Sequence, residues 1–273
     1  MSGQAAKKFE KLTPATPVAT PHRTVDLEID STAVIKKIFY VALAIEIALV
    51  FFDATINVGK WLPFTPIQRL MNMAREDALS AWLSSAQTLV VGFVLLGIYF
   101  VSRARQERAS VSRGWALLSG FFIYLAVDDG SGLHERIGSS AKQLKEMLDP
   151  GGAASFYPSY PWQLILGPFL FAIGLFMLRF ILKEFKDHRH RLIFIAALSC
   201  YVLAVGQDFI EGINEGQLYL TWANSLGTEL QTIRHFGKVF EEFLEIFGTT
   251  LFLVAFLAHF FGMAREMKLK IRQ

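Results

Sequence analysis

The chain has 273 residues, 53% of them hydrophobic, and a mean hydropathy of +0.38. Several apolar runs approach or exceed the ~20 residues needed to cross hydrocarbon, which makes this a polytopic α-helical membrane protein and excludes an ordinary soluble domain. The net charge of +3 is small, no phosphate-binding glycine motif or basic soluble domain is present, and the single Cys200 excludes an intrachain disulfide; nucleic-acid binding and a thiolate metal site find no support.

Residues 1–32 are rich in Lys, Pro and Thr and lack the apolar core of a signal peptide, so they read as a flexible cytoplasmic arm. Six spans follow, at about 34–54, 78–101, 114–133, 161–182, 192–213 and 239–262. They make a six-helix transmembrane domain over 33–263, and a short basic cytoplasmic tail occupies 264–273. Helix-breaking residues separate the spans, as in "KWLPFTP" after the first and "DPGGAASFYPSYP" before the fourth. The segment 216–237 has mixed polarity and predicts an amphipathic surface helix. The expected fold is all-α, a polytopic bundle with both termini cytoplasmic.

Charge sets that orientation. With the N-terminus inside, eighteen Lys and Arg fall on the inner side and eight on the outer side, as the positive-inside rule requires. The acids run the other way: fifteen of the 24 Asp and Glu are outer, eight are inner, and Glu46 lies within the first span.

Several acids enter the spans. Glu76, Ser80, Ser84 and Gln87 follow helical spacing in the second, and Tyr124, Asp128, Ser131 and Glu135 do so in the third. The fifth span places Asp208, Glu211 and Glu215 on one face below Ala204, and the sixth stacks Glu241, Glu242 and Glu245 above Gly248 and Thr249. At 1.5 Å per residue, Asp208 lies about 24 Å and Glu245 about 26 Å from the inner ends of their spans. Four helices thus bring carboxylates to one depth in the outer leaflet. Acids at helix N-termini, such as Glu76, Asp77, Glu241 and Glu242, also fit simple dipole capping. That explanation fails for Asp128, Asp208 and Glu211, which lie toward C-terminal ends. Arg75, Arg136, Arg234 and Lys238 are too few to balance the set, and a multivalent cation would relieve the cost of burying the remainder.

The candidate ligands are Glu76, Asp128, His134, Glu135, Asp208, Glu211, Glu242 and Glu245. Carboxylates with one or two His favour a mono- or dinuclear Fe or Mn site, with Zn and Ca also open. His134 is the best-placed nitrogen and His235 the second. The "GSG" at 130–132 either bends the chain so that His134 and Glu135 turn back toward Asp128, or simply caps a helix.

The pattern Asp128-Asp129-x4-His134-Glu135, with Glu76 ahead of "SAWLSS" and "EEFLEIFG" in the last span, resembles an uncharacterised family of bacterial six-helix membrane proteins. The resemblance covers roughly residues 70–260, with Asp129 where Glu is usual and Ile246 where Met is usual. It implies a six-helix core in the bacterial inner membrane and a shared acidic site, without naming a reaction.

Three functions are compatible with these residues. The first is a metal-binding protein near the outer face, as a metal-dependent oxidase or hydrolase if catalytic. The second is a proton- or cation-coupled carrier, which the one-sided placement of the acids disfavours. The third is an accessory subunit of a larger membrane complex, docking through its Phe-rich helices or as a homo-oligomer within the lipid bilayer.

Overall fold

A computed structural model describes residues 30–148, 161–214 and 217–263, except for the side chains of Glu135, Lys145, Glu146, Pro161 and residues 212–214. The chain from Ser31 onward forms one compact unit built from helices. These are α1 (Ser31–Phe52), continued by a π-helical stretch (Asp53–Val58), α2 (Thr65–Leu70), α3 (Leu79–Ala104), α4 (Ala109–Ser131), α5 (Leu133–Leu148), α6 (Pro161–Glu184), α7 (His188–Asn214), α8 (Gln217–Leu226) and α9 (Leu230–Met263).

Among the described residues, five helices are long and apolar enough to cross a membrane: α3, α4, α6, α7 and α9. The expected first span also forms a 22-residue helix, α1, but Lys36, Lys37 and Glu46 interrupt its apolar run. The central helix is α9, which packs against α7, α3 and α1, while α3 packs along α4 and α6 lies chiefly against α5. Close approach of α3 and α4 depends on Gly92. A Cβ there would stand 2.7 Å from the Ile123 side chain and 3.2 Å from its backbone nitrogen. The Ser119 hydroxyl donates to the Gly92 carbonyl across the same seam, at 2.9 Å.

The bundle has two unlike halves. Toward the C-terminal ends of α3, α6 and α9 and the N-terminal ends of α4 and α7, the core is closed by Leu95, Trp115, Phe122, Phe185, Phe194 and Phe256. Its rings meet edge to face, with Trp115 and Phe180 centroids 4.9 Å apart and Phe122 and Phe252 5.3 Å apart. The opposite half carries the buried Asp53, Asp128, Asp208 and Glu241.

Three elements depart from expectation. Gly132, with φ of 59°, adopts the left-handed conformation that ends α4 and starts the separate helix α5. Gly227, with φ of 62°, divides the predicted 216–237 helix into α8 and the beginning of α9. The last span therefore starts at Leu230 rather than near 239, and Glu241, Glu242 and Glu245 lie three to four turns inside a helix. Dipole capping cannot explain them.

Candidate functional site

Asp128 ends the α4 stripe that begins at Gly120 and Tyr124, and the Gly132 turn folds the chain back over it. One carboxylate oxygen accepts the His134 backbone N–H at 2.8 Å, and the other lies 3.0 Å from the His134 ring Nδ1. The Trp162 ring sits edge-on to the imidazole, with centroids 4.8 Å apart. A carboxylate on Nδ1 orients an imidazole in the manner of a proton acceptor. The bend thus brings His134 to Asp128, while the Glu135 side chain lies outside the described residues.

Asp129, one residue on, points elsewhere. It accepts from the Ser85 hydroxyl at 3.2 Å and faces the bundle interior. Glu242 lies within electrostatic reach of Lys238, Glu241, Asp129 and Glu76, and Glu245 within reach of Glu242, Glu241, Lys238 and Asp129. Glu76 arrives by the turn before α3, not on that helix, and its carboxylate would sit 3.1 Å from a Cβ at Gly132. Four predicted or neighbouring acids, Glu76, Asp129, Glu242 and Glu245, thus form one acidic group.

Lys238 joins this group to a second one. Its ammonium donates to Glu241 at 2.7 Å and lies 3.8 Å from Glu242. Glu241 is in electrostatic reach of Asp208 and Glu211 on α7. Asp208 is buried and accepts from the Gln163 amide at 2.7 Å, a tie from α7 to α6. Glu211 faces Tyr219 of α8, whose phenol is pushed up to about 12 by burial and then by the Glu211 charge. Gln207 pins the three helices here, donating to the Gly237 carbonyl at 2.6 Å and to the Tyr219 hydroxyl at 3.3 Å. Glu215 lies outside the described residues.

A further pair was hidden in the sequence. Asp53, fully buried in the π-helical stretch, accepts from His235 Nε2 at 2.7 Å, the Met73 N–H at 3.0 Å and the Asn57 amide at 3.1 Å. The available signal was the inward spacing of Ala42, Glu46, Leu49, Asp53 and Asn57, which continues past the apolar run. Deeper in, Thr250 donates to Glu46 at 2.5 Å and accepts from Gln87 at 3.2 Å. The Tyr201 hydroxyl meets Thr249 at 2.6 Å, near Glu245 and Asp129. Beyond these groups the column ends on the aromatic half.

On the flank outside the spans, Asp77 takes hydrogen bonds from Arg75 at 2.7 Å and Arg69 at 2.6 Å, which together hold its carboxyl at about 2. Among the described residues, no three His, Cys, Asp or Glu side chains meet in a geometry that holds a metal ion. The predicted ligands are instead distributed over the Asp128–His134 corner, the Glu76–Asp129–Glu242–Glu245 group and the Asp208–Glu211–Glu241 group.

The profile of the family described as Domain of unknown function (DUF8692) matches residues 41–260, and the chain belongs to this family. No curated protein and no solved structure matches it.

Proposed function

We propose that this member of the family crosses the membrane six times, with both termini cytoplasmic, and binds a divalent cation between Glu76, Asp129, Glu242 and Glu245. The carrying observation is a gathering of carboxylates: half-buried Asp129, Glu242 and Glu245 lie within electrostatic reach of one another, with exposed Glu76 in reach of Glu242. These four carboxylates come from the approach to α3, from α4 and from α9, and Lys238 already donates to Glu241 beside them. Carboxylates gathered in a half-buried setting repel one another, and a multivalent cation relieves that cost by drawing several of them together. Fe or Mn is favoured when His134 joins the set, and a hard cation such as Ca when oxygen donors act alone. The aromatic half supports a closed site over a through-path, because the polar column stops at Phe122, Phe252 and Phe256.

The test is elemental analysis of protein expressed and purified in metal-replete, chelator-free detergent solution. One or two equivalents are expected. An Asp129→Asn/Glu245→Gln double variant loses them, and a Glu107→Gln/Glu184→Gln control keeps them. Metal at background in the native protein, or equal loss in both variants, refutes the reading. One observation favours a proton-coupled carrier instead: Glu46, Thr250 and Gln87 extend the polar groups inward. That alternative predicts proton uptake by proteoliposomes, abolished by Glu46→Gln.

A further inference from the structure

We propose that the groove between α4 and α6 holds the hydrocarbon chain of a membrane amphiphile and presents its cationic head to Asp128. The groove has a volume of about 330 Å³ and is lined by Leu117, Gly120, Phe121 and Tyr124 of α4 with Phe169 and Ile173 of α6. Both helices are long and apolar enough to cross the membrane, so the groove opens at the depth of lipid chains. It has a floor and a roof. Trp115 and Phe180 close one end with ring centroids 4.9 Å apart. At the other end Tyr124 stands one turn below Asp128, and Phe169 two turns below Trp162, whose ring rests on His134.

Shape and charge select the occupant. The groove is open along one side and lined by apolar side chains with the Tyr124 ring, a surface along which a single hydrocarbon chain lies lengthwise. The lining run from Ala116 to Tyr124 is about 12 Å long, the reach of a medium-length alkyl chain. Gly120 keeps the space open, since a Cβ there would meet no described atom within 4 Å. The sign of the roof selects the head: Asp128 ends the α4 stripe one turn beyond Tyr124, with its carboxylate oriented by the His134 N–H and ring. Arg136, the nearby cation, is turned onto the Ser131 carbonyl at 3.0 Å. An alkylammonium is therefore favoured over an alkyl phosphate. The groove does not depend on the proposed cation site, and either proposal can fail alone.

The experiment is photolabelling of the full chain in nanodiscs with a dodecylamine carrying a diazirine at its far end, mapped by peptide mass spectrometry. Label should concentrate on residues 116–124 and 169–173 and be displaced by unlabelled dodecylamine. Gly120→Leu, which fills the groove from α4, should cut labelling about tenfold, equivalent to about 1.4 kcal/mol. Ile173→Trp blocks it from α6 and guards against a folding effect of the first variant. Gly174→Leu, also at an open position but outside the lining, should leave labelling unchanged. Label spread evenly over the lipid-facing helices, or unaffected by both blocking variants, overturns the groove. Equal labelling by the corresponding dodecyl phosphate, or no loss of amine labelling in Asp128→Asn, overturns the assignment of the head.

Discussion

Replacing Asp53 by Ala is the most direct probe of how the acidic half is held together. Its carboxylate accepts three hydrogen bonds, from His235 on α9, from the backbone of Met73 before α3, and from Asn57 one turn away. Met73 is 1% exposed and Asn57 8%, so water reaches neither donor easily. Stranding a buried donor costs about 1–3 kcal/mol, while His235, whose side chain is 18% exposed, recovers part of its loss from solvent. The expected destabilisation is about 3–5 kcal/mol, against about 1–2 kcal/mol for Asp53→Asn, which keeps one acceptor oxygen. Unfolding in detergent, followed by helicity, gives the total, and hydrogen exchange at the Met73 amide reports the specific bond. A loss under about 1 kcal/mol in Asp53→Ala, or unchanged protection at Met73, would refute the argument that this buried carboxylate joins α1, α3 and α9.

Gly114→Ala should destabilise the fold by about 1–3 kcal/mol, because its Cβ would collide with the Phe180 ring. Gly120→Ala should be neutral or stabilising by up to about 1 kcal/mol, and thermal unfolding of the pair separates the two environments. The Asp77 carboxyl, held at about 2 by Arg75 and Arg69, lies below the ordinary carboxylate range. Its contribution is present above that range and disappears as pH falls through about 2; hydrogen exchange over residues 65–78 should rise between about pH 4 and pH 2, and Asp77→Asn should remove the change. For topology, Ser139→Cys and Ser110→Cys in a Cys200→Ser background place exposed reporters on opposite sides. The first should react with an impermeant reagent in intact cells and the second only after membrane disruption; the reverse pattern would invert the bundle.

The amino-acid sequence determined the helices and the broad segregation of charge. Apolar runs of spanning length predicted α3, α4, α6, α7 and α9 to within a few residues at most ends, because a lipid-facing segment must be both apolar and internally hydrogen-bonded. The start of α9 departs most, since its first turns carry Arg234, His235 and Lys238 and have no hydropathy signal. The same spacing placed carboxylates toward one end of the bundle. Which carboxylate faces which partner was decided by tertiary structure alone. Asp128 and Asp129 differ by 100° of helix rotation, and only the packing of α4 on α3 and the left-handed turn at Gly132 sends the first to His134 and the second toward Glu242. Asp53 and His235 stand 182 residues apart, and no local pattern joins them. Periodicity specifies a face, whereas a hydrogen bond requires its neighbour's position to within a few tenths of an ångström, and that precision exists only once the helices have packed.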